Sequence, residues 1–482
     1  MPVRLPARTW SARGVWLAVA TLAGMGTTLL VLVAGPLTAV LPVVLGLLPL
    51  AIGSPFWAVA TFVLALPLGL VDGLVPAGPV DLVQLVAVFV VAAVVLQRVV
   101  AGRPPLRWHA SAGWAVVMAV VAVVAMVTAR NVPPAVPPAV ALVVAVAFGL
   151  AVYSACEGWT MLRRLITLLA VVSAAVCLYS LGAAGDIQAT LPGAGAVGGR
   201  AAGIFQSPNQ LGTFSGLMLF VGLGLALGGQ RRLERLAGSA CALLSAAALL
   251  VTLSRGAWVG ALAASILLLA LSPRARRIVP LVVASTAGVL LTVLALAAPQ
   301  LLQVLVSRAA ALVDLDANPE DARPLIYQEA VRQIVERPWT GQGPGNYTVV
   351  MESADSAAPT VAVLHAHNVL LHVAAEAGLP AAVVLVAFTL SVARAVLLAR
   401  RWLPEPDRDV LTGLAAGLVA VMSQGVMDFT LGNPTLLFLV WMVVGFVLAA
   451  TVRPQATWVP SSADRLRSAG VTVPSPALRS ST

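Results

Sequence analysis

The sequence predicts an all-α polytopic membrane protein of about 12–14 transmembrane helices, with one large helical loop on its outer side. Three observations predict it. The chain of 482 residues is 60% hydrophobic and only 10% charged, and its mean hydropathy is +0.97. Apolar runs approaching the roughly 20 residues needed to cross a bilayer recur along it. A single long polar insertion, residues 299–378, interrupts the series.

The candidate spans are 15–34, 37–53, 56–71, 79–97, 112–129, 138–156, 162–182, 209–228, 236–253, 256–271, 278–298, 379–400, 409–427 and 434–452. The first follows Arg4, Arg8 and Arg13 and lacks a small-residue cleavage site, so it reads as a retained helix rather than a signal peptide. The net charge of +10 is carried by arginine and sorted by side. With the N-terminus cytoplasmic, inner loops such as Arg231–Arg235 and Arg274–Arg277 hold most of the arginines, and outer segments hold most of the acids. This is the positive-inside pattern, so these basic clusters are topological anchors and the charge implies no nucleic-acid partner. Both termini are then cytoplasmic. Cys156, Cys177 and Cys241 fall in or beside spans without metal-ligand spacing and read as small core residues.

The chain divides into N-terminal spans (1–182), an outer loop with central spans (183–298), the large outer loop (299–378), C-terminal spans (379–452) and a Pro-, Ser- and Arg-rich cytoplasmic tail (453–482) expected to be disordered. Within the large loop, Asn318 as cap, Pro319 at the first position and the acids Glu320 and Asp321 mark a helix start. Ile326, Ala330 and Ile334, with Val331 and Val335, give it an apolar stripe ending before Pro338. A second helix is expected from near Ala366 to Glu376, ahead of Gly378 and Pro380.

Candidate chemistry collects in this loop and at the outer span ends. Three of the four histidines, His365, His367 and His372, lie within eight positions. Histidine titrates near neutral pH, which suits proton transfer, and His367 is the leading catalytic candidate, a general base for a sugar hydroxyl. A helix-start histidine bonded to backbone gives the same pattern. His365, His372 and Glu376 have the spacing of one helical face; a metal site and a plain His372–Glu376 hydrogen bond both fit, and the pair is the simpler reading. Arg200, Arg255 and Arg323 are outer arginines, and Arg255 sits at a tight turn close to lipid depth. A guanidinium so placed is costly unless paired or functional, and its planar fork fits phosphate oxygens. Snorkelling and surface ion pairing are the alternatives. Asp428, at the outer end of a span, is expected to pair with one of these arginines or to be a plain interfacial acid. Trp258, Trp339 and Tyr347 are either sugar-stacking platforms or interface anchors.

Four stretches together resemble the O-antigen ligase and O-antigen polymerase superfamily of bacterial envelope glycosyltransferases. They are Arg200 to Asn209, Ser254 to Trp258, Arg323 to Gly343, and His365 to Asn368 with Glu376 to Gly378. The resemblance covers roughly residues 195–435. In the ligases a His-Asn pair precedes a Gly at the spacing seen here between His367-Asn368 and Gly378; the next family position is Gly, Thr or Tyr, whereas this chain has Ala381. The resemblance implies a GT-C-like fold, an undecaprenyl-pyrophosphate-linked glycan donor, a glycan or lipid-linked acceptor, inversion at the anomeric carbon, and neither cofactor nor metal. It implies His367 as the base and Arg200, Arg255 and, more weakly, Arg323 as binders of the donor pyrophosphate. The supporting set is Asn209, His365, Asn368, His372, Glu376 and Asp428. The location implied is the bacterial cytoplasmic membrane, with the site on its outer face. The rival class is a lipid-linked oligosaccharide flippase or another transporter, which places polar groups at mid-bilayer in broken helices. Here they collect at one face.

Overall fold

The computed structural model describes residues 50–69, 82–185, 200–281, 323–351 and 365–453, with a few further positions. Its helices are α1 (Pro55–Gly69), α2 (Leu82–Val100), α3 (Ala112–Val127), α4 (Val132–Ala155), α5 (Trp159–Gly185), α6 (Pro208–Gly228), α7 (Arg232–Val251), α8 (Arg255–Leu271), α9 (Arg323–Glu336), α10 (Tyr347–Met351), α11 (Val369–Ala399), α12 (Glu405–Gln424) and α13 (Pro434–Ala450). Six of them, α2, α4, α5, α6, α7 and α11, are long and apolar enough to cross a membrane, and α1, α3, α8 and α13 are shorter apolar helices. The all-α polytopic membrane class is thereby shown. The predicted spans 15–34, 37–53 and 278–298 lie wholly or largely outside the described residues, as do the expected cap at Asn318 and the tail. A two-residue antiparallel ladder, Ala196–Val197 with Arg200–Ala201, is a small departure from the all-helical expectation.

Local sequence explains where the helices start. Ser207 accepts a hydrogen bond from the Gln210 N–H with Pro208 behind it, Ser254 accepts from Ala257, and Asn433 accepts from Leu436 with Pro434 next. Each satisfies a backbone donor that lipid would leave bare. Helix α11 begins at Val369 rather than near Ala366, because Asn368 is its cap and accepts from Leu370 and Leu371. Gly378 (φ 82°, ψ 167°) breaks α11 into a short segment and the long span that follows, a conformation glycine adopts without steric penalty.

Helix α6 is central and packs against α7 and α12. Small residues permit the approach: a Cβ on Gly413 would lie 2.4 Å from the Gly224 Cα. Between transmembrane helices such contacts replace the missing hydrophobic drive.

One end of the bundle is tied by ion pairs. Arg163 of α5 bonds Glu234 of α7 at 3.0 Å, Asp407 of α12 at 2.5 Å and the Gly228 carbonyl at 2.9 Å, with all three charged side chains buried. Arg98 and Arg103 meet Glu157, and Arg274 meets Glu405 and Asp409. These are the arginine-rich loops, and several of their charges are joined to acids across helices. The histidine segment lies at the opposite end. Replacing Arg163 by Met leaves two buried carboxylates unpaired and should cost about 3–5 kcal/mol, the usual penalty for breaking a buried pair. The check is a lowered Tm in detergent, with Arg163→Lys losing less.

Candidate active site

Two backbone turns come together at the other end of the bundle. The first is the segment His365–Asn368 leading into α11. The second is the turn 425–433 between α12 and α13. They are sewn together by main chain: Val369 N–H donates to Gly425 O at 2.6 Å, and the Asn368 side-chain amide donates to Val426 O at 3.0 Å. This clamp brings His367 to Asp428, whose Oδ1 lies 2.8 Å from His367 Nδ1. The expected Asp428–arginine pairing is replaced by an aspartate–histidine dyad. The reason is local, since the Asn368 cap and the Gly425 carbonyl fix the two turns side by side.

His367 has φ 48°, a left-handed conformation rare for residues with a side chain. Among the described residues the other non-glycine case is Leu253 (φ 51°), two positions before Arg255. Such strain persists where the surroundings over-determine it, and it collects at functional sites. The two turns are neighbours. Ser254 Oγ donates to Asn209 Oδ1 at 2.8 Å, Gln424 donates to the Asn209 carbonyl at 2.9 Å, and a Cβ on Gly256 would touch Met427 Cβ at 3.3 Å. Arg255 and Asp428 therefore stand on backbones in contact, with Asn209 as the link.

The loop closes over this junction. Ile326 and Ala330 of α9 cluster with Tyr347, Met351, Ala366 and Ala375. Tyr327 directs its hydroxyl to the His367 carbonyl at 3.5 Å, and Arg323 lies one helical turn before it. Arg200 pairs with Val197 in the short ladder. The structure thus brings the turn of Arg255 and the helix of Arg323 against the segments that carry the dyad.

His365 packs edge-on to His367, ring centroids 4.3 Å apart, and its Nδ1 accepts the His367 backbone N–H at 3.3 Å. Burial, then the neighbouring His367, lowers its pKa to about 4 against the pull of Asp428, so it is neutral at pH 7. Burial pushes the Asp428 carboxyl up, but the hydrogen bond and charge of His367, with the Phe429 N–H, more than reverse this and hold it below the usual carboxylate value. Asp428 is the ionised partner of the dyad.

His372 and Glu376 form a pair, Nε2 to Oε2 at 3.4 Å, and Glu376 also accepts the Tyr347 N–H. Phe429 covers His372 with centroids 4.0 Å apart. Tyr347 is fully buried with its hydroxyl on Ile326 O, so it is a core residue and no sugar platform. Trp258 donates to Leu249 O, while Trp339 is exposed.

His365, His367 and Asp428 also offer three potential metal-ligand atoms within 4.8 Å, a set different from the His365–His372–Glu376 face considered from spacing. An ion there would compete with bonds already made. His365 Nδ1 takes a backbone N–H, and Asp428 Oδ1 takes both the Phe429 N–H and the His367 ring.

Beneath the site opens a cavity of about 1060 Å³. Gln206, Gln210, His365, His372, Glu376 and Asn433 line its polar end; Leu385, Phe388, Val396 and Trp441 continue it between α11 and α13. His367 and Asp428 each adjoin lining residues. Tyr327 and Phe429 were missed from sequence. Tyr327 lies one turn beyond Arg323 within the resembling stretch, and Phe429 directly follows Asp428; nothing in the pattern separates either from an ordinary apolar position.

These features define an integral membrane protein with a histidine–carboxylate site at one end of its bundle and an apolar cavity under it. Residues 240–386 match the O-antigen ligase family, over a stretch that takes in the Arg255 turn, α9 and all three clustered histidines. The match supports the O-antigen ligase and polymerase superfamily and, at that coarse level, a membrane glycosyltransferase acting on lipid-linked glycans. No curated protein matches the chain significantly.

Because His365 binds a proton near pH 6.5 when unfolded and near 4 when folded, the unfolded state holds more protons between those values. Stability should therefore fall as pH drops from 6.5 towards 4. The fall in Tm between pH 7 and pH 5 should be smaller in His365→Gln than in wild type.

Proposed function

We propose that the protein transfers a glycan from an undecaprenyl-pyrophosphate donor to a sugar hydroxyl at the outer face of the bacterial cytoplasmic membrane, as an O-antigen ligase or polysaccharide polymerase does. The observation that carries this reading is the 2.8 Å contact with Asp428 made by His367, a residue within the family match. With Asp428 ionised, His367 places its proton on Nδ1, leaving Nε2 with a free lone pair. That nitrogen takes the proton of the attacking hydroxyl as the oxygen closes on the anomeric carbon of the donor. The bond from that carbon to the pyrophosphate oxygen breaks, its electrons leave with the lipid pyrophosphate, and the configuration inverts.

The leaving group carries charge, and the arginines meet that need. Arg255, with Arg200 and Arg323, holds the pyrophosphate oxygens through charge-assisted bonds. The apolar cavity suits the prenyl chain, since its polar end is at the histidines and its depth is hydrocarbon-lined. Asn209 and Asn368 position, His365 stays neutral beside the base, and the His372–Glu376 pair supports the wall. The reaction needs neither metal nor cofactor in this reading.

Transfer of lipid-linked glycan by purified protein tests it. His367→Ala should lower kcat by about 10²–10⁴, the usual worth of a positioned base. Asp428→Asn should lower kcat with little change in KM, and Arg255→Ala should weaken donor use. EDTA should leave wild-type activity unchanged. Full activity in both His367→Ala and Arg255→Ala would sink the assignment, and loss of activity in EDTA would replace the dyad with a metal site.

A further inference from the structure

Helix α9 was expected to carry one apolar stripe, and it carries two apolar faces. Ile326 and Ala330, with Ile334 against them, turn inward onto the cluster that holds Ala366. Val331 and Val335 turn the other way and are 49% and 73% exposed, and Trp339, just past the helix end, is 76% exposed. A loop helix surrounded by water would place polar residues there.

What covers this face follows from its position. Leu379 N–H donates to Pro338 O at 2.8 Å. The left-handed turn at Gly378 lies against the Trp339 backbone, so closely that a Cβ would sit 2.5 Å from its carbonyl carbon. Trp339 therefore stands beside Leu379, the first residue of the lipid-facing side of α11. That side continues through Val383, Val386 and Leu390, all exposed and spaced as one helical face. The exposed face of α9 is thus continuous with a surface that faces lipid. Its edge is charged: Arg332 bonds Glu336 at 3.3 Å, and Glu336 also meets Arg130 at 3.6 Å.

We propose that α9 is an interfacial helix whose Val331, Val335 and Trp339 face is seated in the bilayer leaflet on the side of the active site. Apolar residues backed by a charged flank, with a tryptophan at the end nearest the span, have the chemistry of the headgroup–acyl boundary. The inference rests on the membrane fold alone and not on the reaction proposed above. Its consequence is positional. The inner face of α9 packs on Ala366, and Tyr327 meets the His367 carbonyl, so a lipid-seated α9 holds the histidines at headgroup height.

The test uses the full chain with Val335→Cys, spin-labelled and reconstituted in phosphatidylethanolamine–phosphatidylglycerol vesicles, with unsubstituted protein as the background control because Cys156, Cys177 and Cys241 are buried. Val335 is already exposed, so the substitution leaves the core intact. Power saturation should show the label relaxed far more by oxygen than by a water-soluble nickel chelate. Ready access to the nickel chelate would place the face in water and overturn the proposal. Shielding from both agents, or dipolar broadening between labels, would assign the face to a protein partner or a second copy and overturn it equally.

Discussion

The clamp between Asn368–Val369 and Gly425–Val426 organises the candidate site, because it sets the His367 ring against the Asp428 carboxylate. His367 lies in the segment that leads into α11; Asp428 is on the turn that ends α12, a helix packed deep in the bundle. Lipid cannot solvate backbone or charge, so each end of every span must find partners in the protein. Asn368 meets that requirement twice, capping α11 with its oxygen and binding Val426 with its amide. The geometry of the dyad is a by-product of satisfying those groups. The left-handed φ of His367 marks the cost of the fit.

The two ends of the bundle solve different problems. At the arginine-rich end Arg163, Glu234 and Asp407 neutralise one another and lock α5, α7 and α12. At the histidine end the Asp428 carboxylate pairs with the His367 ring, and a cavity leads away from the site between α11 and α13. A buried ion network suits a scaffold, while an ionised carboxylate behind an imidazole, above an apolar pocket, suits chemistry on an amphipathic substrate.

Much of the fold was legible because hydropathy and the distribution of arginine respond to the bilayer directly. Among the described residues, span after span coincides with a helix. His367 could be chosen from its neighbours by the Asn that follows it, which proved to be the cap. The partner of Asp428 was not legible, since it depends on a backbone contact between residues 425 and 369 that no local pattern encodes. The stripe on α9 failed for a related reason. Periodicity reports that Val331 and Val335 share the helix with Ile326, Ala330 and Ile334, but not that two different surroundings claim its two sides. Tyr347, which its sequence position leaves as either a sugar-stacking platform or an interface anchor, is a core residue because the loop folds back on itself.

The central claim is that the imidazole of His367 removes the acceptor proton, and chemical rescue addresses it most directly. In His367→Ala, added imidazole should restore a measurable part of glycan transfer, rising with the concentration of the neutral form, and should do nothing for Arg255→Ala. Unimpaired transfer by His367→Ala without imidazole would contradict the account.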